Sequence, residues 1–166
     1  EAYMNTGIQR SSATPLGAWT TTTPGAHPEA RPKKDILAIL AAHRIPYAAS
    51  ATPAYPEDLL AKVRKAKATK GTRFLHLLAP CPPGWKTADD ETIELARMAV
   101  RARIFPLLEI ENGETWRITV DSPGDPIGPY LARQGRFRHL RDEDIGAIQA
   151  QVDTRWKALQ RRVAGS

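Results

Sequence analysis

Between residues 34 and 79 the apolar residues alternate between the two periods of regular backbone, and this alternation restricts the fold more than any other feature. Residues 34–44 read as a helix: Ile36, Leu37, Ile39 and Leu40 share one face, and Asp35 stands near the N-terminus, where the helix dipole favours an anion. Residues 45–51 read as a short buried strand. Residues 56–70 return to helical spacing, with Leu59, Leu60, Val63 and Ala66 on one face, Pro56 in the first turn and Gly71 as the stop. Residues 73–79 form a second strand, Phe74-Leu75-His76-Leu77-Leu78, whose apolar run is continuous rather than alternating. Such a run suits a strand covered on both faces. Helix, strand, helix, strand is the grammar of an α/β fold with a largely parallel sheet and crossover helices. The second strand delivers the chain to Pro80-Cys81-Pro82-Pro83-Gly84, and ligands of open α/β sheets gather at the carboxyl ends of strands.

Downstream, residues 89–103 read as a helix with Ile93, Leu95, Ala96, Ala99 and Val100 on its apolar face. Residues 107–110 and 115–120 form a hairpin across Glu111-Asn112-Gly113-Glu114, Asn-Gly being the turn signal. A Pro/Gly-rich arm follows, with a short helix at 127–133. The long helix 142–163 carries one stripe, Ile145, Ile148, Val152, Trp156 and Leu159, that needs a partner surface in the domain or in another subunit. Residues 16–33, with Trp19 and the run Thr20 to Thr23, show no regular period; a loop of that length is functional or a subunit-contact arm, and Trp19 is expected to be buried against a neighbour.

The net charge of +6 raises the question of nucleic acid, but the basic residues lie on helical stretches beside acidic ones, as solvated faces do, so no nucleic-acid partner is expected. Arg136-Phe137-Arg138-His139-Leu140-Arg141, with one aromatic, reads instead as a subunit or domain contact. A modest positive potential suits an acidic redox partner. A single cysteine excludes an internal disulfide, and no apolar run approaches the ~20 residues of a membrane span. The histidines are dispersed without metal-site spacing, and His76 reads as a core residue. No nucleophile elbow, dinucleotide fingerprint or phosphate loop occurs.

Two stretches carry chemistry. Residues 1–15 fit neither period; Gly7 permits positive φ and close approach, while Asn5, Thr6 and Gln9 supply donors and acceptors. That composition suits backbone wrapped closely around a polar group, or a surface N-terminus. Cys81 is a small buried hydrophobe or a thiolate ligand.

Tyr3-Met4-Asn5-Thr6-Gly7-Ile8-Gln9-Arg10-Ser11, with Ser12-Ala13-Thr14-Pro15 and Gly17-Ala18, resembles the thiamine-diphosphate loop of the beta subunits of 2-oxoacid:ferredoxin oxidoreductases, the pyruvate enzyme above all. The resemblance continues through Ala79-Pro80-Cys81-Pro82-Pro83-Gly84-Trp85 and Gln134-Gly135-Arg136-Phe137-Arg138-His139-Leu140. Subunits of that family begin upstream, with a Cys-x-x-Cys segment and a Gly-Asp-Gly motif; this sequence opens inside a motif and is read as the C-terminal part of such a subunit.

The resemblance implies a thiamine-diphosphate-binding fold, with residues 1–105 forming the C-terminal part of that domain and 106–166 a hairpin, arm and helix packing on it or on a partner. It implies thiamine diphosphate, Mg2+ and a 4Fe–4S cluster, all requiring polypeptide absent here. The Ala2 backbone carbonyl would bind the Mg2+; Asn5 would stand beside the thiazolium and donate to a developing oxyanion; Thr6, Gly7 and Gln9 would contact cofactor or substrate. Cys81 would be the fourth cluster ligand. The implied reaction is oxidative decarboxylation of a 2-oxoacid to acyl-CoA, pyruvate first and branched-chain 2-oxoacids second. The implied partners are the alpha, gamma and delta subunits, ferredoxin, coenzyme A and the 2-oxoacid, with no membrane, in the cytoplasm. Alone, the chain is expected to be inactive and to hold no cluster. The alternative is a non-catalytic α/β module for subunit docking.

Overall fold

The computed structural model describes residues 7–23 and 27–165. The elements, in order, are α1 (Ile36–Ala42), β1 (Tyr47–Ala51), α2 (Pro56–Ala68), β2 (Arg73–Leu77), α3 (Pro82–Trp85), α4 (Thr92–Arg101), β3 (Leu108–Glu111), β4 (Thr115–Ile118), α5 (Gly128–Ala132) and α6 (Asp142–Ala164), with single 3-10 turns at Asp89–Glu91 and Gly135–Phe137. The strands form one sheet in the order β2-β1-β3-β4. β1 and β2 are parallel, Tyr47 opposite Arg73 and Ala51 opposite Leu77, because α2 carries the chain back over the sheet between them. β3 runs antiparallel to β1 on its other side, and β4 antiparallel to β3.

The sheet is therefore mixed, not largely parallel: one of its three pairings is parallel. The hairpin that the Asn-Gly signal predicts is present, but it joins the same sheet rather than standing beside it. Its turn takes two successive positive φ values, Asn112 at 54° and Gly113 at 75°, as the mirror-image hairpin turns require. Gly113 is also packed so closely on α1 that a Cβ there would lie 2.3 Å from the Ala41 carbonyl oxygen.

Two further expectations change. β2 is the edge strand of the described sheet and is not covered on both faces; Phe74, Leu75 and His76 are half-buried and Leu77 is 48% exposed. On α2 the buried residues are Lys62 and Ala66, while Leu60 and Val63 from the expected apolar face are 51% and 42% exposed. Lys62 is wholly buried because its ammonium group is completely engaged: it donates to Asp58 Oδ2, the Ser50 carbonyl and Thr119 Oγ1, each at 2.7 Å. Burial pulls its pKa below the ordinary lysine value, against the pull of Asp58.

The sheet thus has two unlike faces. Toward α2 it presents Tyr47, Ala49 and Glu109. Glu109 accepts from Tyr47 OH (3.0 Å), Lys65 Nζ (2.9 Å) and Arg117 Nη2 (2.5 Å). Toward α6 it presents Ala48, Leu108 and Ile110, which pack with Leu37 and Ala41 of α1 and with Trp156 and Leu159 of α6. A larger apolar cluster continues along α6 through Ile148 and Val152 to Leu95, Ala99 and Val100 of α4 and Tyr130 and Leu131 of α5. The α6 stripe therefore finds its partner inside this chain. The helix is set electrostatically as well: Asp142, Glu143 and Asp144 occupy its first turn, Arg141 N–H donates to Asp144 Oδ2 at 3.0 Å, and Arg161 and Arg162 occupy its last turn.

Candidate functional site

The opening loop is held by the threonine run, to which sequence reasoning assigned no role at the site. Thr21 N–H donates to the Ile8 carbonyl at 3.0 Å, and the Thr21 hydroxyl reaches the carbonyls of both Gly7 and Ile8, the latter at 2.8 Å. Thr22 Oγ1 accepts from Arg10 N–H at 2.8 Å. Arg10 also pairs with Glu29 at 3.2 Å, a buried carboxylate that accepts from Arg31 N–H. The clamp is needed because the backbone is turned the unfavourable way: Gly7 has φ +85° and Ile8 φ +59°. A β-branched residue in the left-handed region is a strained conformation that its surroundings must impose, and such strain collects at ligand-binding loops.

The second segment leaves β2 at its carboxyl end. Leu78 N–H still donates to the Ala51 carbonyl at 2.9 Å; the chain then passes Pro80 and reaches Cys81 in an extended conformation. α3 begins immediately after, with proline at its start where a missing N–H is harmless; its last turn closes at Lys86, φ +55°. This one-turn helix has no periodic signal and was not expected. Cys81 is free and half-buried.

Ile8 and Cys81 meet over Gly84. A Cβ built on Gly84 would lie 3.2 Å from Cys81 Sγ and 3.7 Å from Ile8 Cγ2. The absent side chain lets the Cys81 thiol and Ile8 of the strained loop pack closely against the backbone of α3.

The third segment locks these two together. Gly135 N–H donates to the Lys86 carbonyl at 3.0 Å, an approach that a side chain would block, since a Cβ there would lie 2.8 Å from Lys86 Cβ. Arg136 is buried; its guanidinium donates to Gln134 Oε1 at 3.0 and 2.7 Å and lies 4.0 Å from the Trp85 ring centroid. Its carbonyl accepts from Trp19 N–H at 3.0 Å, and the Trp19 ring stacks on His139, centroids 3.8 Å apart. Burial lowers the pKa of His139 below the ordinary imidazole value. The basic run at 136–141 is thus a contact within this chain: it ties the opening loop to the cysteine segment. Trp19 finds its neighbour there too.

Of the expected site residues, Ala2, Asn5 and Thr6 lie outside the described residues. Gly7 stands in the clamped loop, Gln9 beside it is exposed, and Cys81 lies across Gly84 from Ile8. Among the described residues no three His, Cys, Asp or Glu side chains form a metal-binding group. A single cysteine side chain fits at most one ligand position of a cluster.

A comparison with models of known protein families gives no match. Individual relatives are close. The chain is 51% identical over 167 residues to ketoisovalerate oxidoreductase subunit VorB of Pyrococcus abyssi, covering 97% of this chain and 53% of that one. It is 52% identical over 163 residues to pyruvate synthase subunit PorB of Methanocaldococcus jannaschii, covering 96% and 54%. It is 46% identical over 182 residues to subunit PorB of Pyrococcus horikoshii, covering 96% and 55%. The chain is thus homologous to subunits of the 2-oxoacid:ferredoxin oxidoreductases. Within that class its counterparts are the beta subunits, and it spans about half the length of the curated relatives that it matches.

Proposed function

We propose that the chain supplies the thiamine-diphosphate loop and one iron–sulfur ligand of the beta subunit of a 2-oxoacid:ferredoxin oxidoreductase. The observation that carries this reading is the meeting of three segments distant in sequence: Ile8, Cys81 with Trp85, and Gly135 with Arg136. Bound thiamine diphosphate supplies the electron sink for decarboxylation, and a 4Fe–4S cluster takes up the electrons. In this reading the residues of the chain bind and orient. The Ala2 carbonyl ligates Mg2+, Asn5 donates its amide N–H to the substrate oxygen as charge develops there, and Thr6, Gly7 and Gln9 line the cofactor. Thr21 holds the Gly7 and Ile8 carbonyls in place through its hydroxyl. Cys81 binds iron through its thiolate, with Pro80, Pro82 and Pro83 removing backbone donors around it.

The partners of this reading are the alpha, gamma and delta subunits, ferredoxin and coenzyme A, with pyruvate or ketoisovalerate as substrate, the names borne by relatives of nearly equal identity. The edge position of β2 among the described strands, with exposed Leu77, and the exposed Leu60 and Val63 of α2 support its place inside a larger assembly.

The complete complex tests it. Turnover with pyruvate against ketoisovalerate, coenzyme A and ferredoxin selects the substrate. Asn5→Ala is expected to lower kcat at least a hundredfold with the cofactor still bound. Cys81→Ser is expected to abolish one cluster signal in electron paramagnetic resonance; an unchanged spectrum and iron content sink the assignment of Cys81. Thr21→Val, nearly isosteric, is expected to weaken thiamine-diphosphate affinity about tenfold, roughly the 1.4 kcal/mol of one lost hydrogen bond.

A further inference from the structure

The face of the sheet beneath α6 is not filled. Between α6, the start of α1, Pro15 and Leu16, and the sheet lies a cavity of about 310 Å³, at the lower end of the roughly 300–1,000 Å³ of small-molecule sites. Trp85 and Arg136 line it, whereas Ile8, Cys81 and Gly84 do not. Three of the four tryptophans line it, and each has an arginine over its ring: Arg136 over Trp85 at 4.0 Å, Arg103 over Trp156 at 4.7 Å and Arg162 over Trp116 at 4.9 Å from the centroid. All three arginines line the same cavity.

The lining is one-sided in charge. Six cationic side chains, Lys33, Lys34, Arg103, Arg136, Arg155 and Arg162, stand against one carboxylate, Asp35. That carboxylate is already committed: it accepts from Ala38 N–H at 3.1 Å as the N-cap of α1. A positive potential in a partly enclosed apolar space attracts anions more strongly than the same charges in water. Arg103 donates to the Ser122 and Pro123 carbonyls and Arg136 to Gln134 Oε1, so these guanidinium groups supply fixed positive charge rather than open donors, while the indole rings supply flat apolar wall. The indole N–H groups of Trp85 and Trp156 are moreover buried donors with no acceptor among the described residues, an unusual state for interior polar groups.

We propose that this cavity binds an organic anion built of a planar aromatic ring and a phosphate or carboxylate group. The ring lies among the tryptophans, and the anionic group lies toward Lys34 and Arg155, whose exposure marks the mouth. The proposal does not depend on the oxidoreductase reading: of the described residues assigned to cofactor or cluster binding, Gly7, Gln9 and Cys81, none lines the cavity.

Tryptophan fluorescence and calorimetry on the full chain test it directly, with adenosine 5′-monophosphate and 2-naphthoate as probes and adenosine, 2-naphthol and inorganic phosphate as controls. The expected result is saturable one-to-one binding of at least one anionic probe, at least tenfold tighter than its neutral counterpart and than phosphate alone. Which probe binds distinguishes phosphate from carboxylate. The double variant Lys34→Glu/Arg155→Glu should weaken that binding at least tenfold with an unchanged circular dichroism spectrum; Arg155→Glu alone serves if the double variant does not fold. No saturable binding of either anion overturns the proposal, as does equal affinity for a neutral control or for phosphate, or unchanged affinity in the charge-reversed variants.

Discussion

The two faces of the sheet are built on opposite principles. Toward α2 the residues are alanines and charges, and specificity comes from hydrogen bonds: Lys62 has three acceptors, and Glu109 has three donors. Toward α6 the residues are leucine, isoleucine and tryptophan, and the helix is placed by volume. A charged face tolerates no loss of a partner, because a buried ion left alone has neither water nor counter-charge. An apolar face tolerates imperfect filling, and the cavity beneath α6 is where that tolerance appears.

The sharpest way to break this comparison is Lys62→Met. It strands Asp58 and leaves the Ser50 carbonyl and Thr119 hydroxyl without their donor, and is expected to cost about 3–5 kcal/mol in denaturant unfolding. The double change Lys62→Met/Asp58→Leu removes both charges and should recover much of that loss; if it does not, the face is held by shape rather than by pairing. On the opposite face Leu108→Ala is expected to cost about 2–3 kcal/mol, toward the lower end for a buried leucine, since it lines an existing void.

Acid separates two regions by where stability falls. Burial pushes the Glu109 carboxyl up, but hydrogen bonds from Lys65, Arg117 and Tyr47 outweigh it and hold the group below its ordinary 4.5. A depressed carboxylate contributes stability that is complete above the unfolded value and is lost as pH falls through the folded one, so this loss lies below about pH 4.5. His139 behaves differently. Its imidazole is held below 6.5 by burial, so the unfolded chain takes up the proton first, and stability falls as pH drops from about 6.5 toward the lower folded value, then levels. Thermal melting across pH 3–8 should show both steps, and His139→Gln should remove the upper one only. That substitution, which keeps a polar side chain against Trp19, carries the smallest expected effect at neutral pH, about 1 kcal/mol for the lost ring stacking.

What the sequence reveals follows from the nature of the signal. Period specifies α1, α2, α6 and the hairpin because each places apolar residues at regular steps, and the structure returns all four with ends shifted by a few residues. Period does not say what covers a surface. The run Phe74 to Leu78 has the composition of an interior strand yet sits at the edge, and α2 turns Lys62 inward toward two acceptors, Ser50 and Thr119, that lie 12 and 57 residues away and leave no local mark beside the nearby Asp58. The site divides in the same way. Gly7, Gln9 and Cys81 enter as candidates through the resemblance, whereas the clamp by Thr21 and Thr22 leaves no sequence signal, since a threonine run has neither period nor charge. Arg136 reads as part of a subunit or domain contact, while Gln134 and Trp85, which make its burial possible, are not visible as its partners.

Among the described residues β2 has a single strand neighbour, which bears on how such a protein is made. Half the peptide groups of Arg73–Leu77 point away from their single neighbour, and Leu77 adds an adhesive side chain to that row. A newly synthesised copy therefore enters a race between productive docking and homotypic strand addition, the first nearly independent of how many identical copies surround it when the mate is tethered, the second rising with their number. Co-expression with the rest of the assembly, rather than purification followed by mixing, is the order of events that this edge favours.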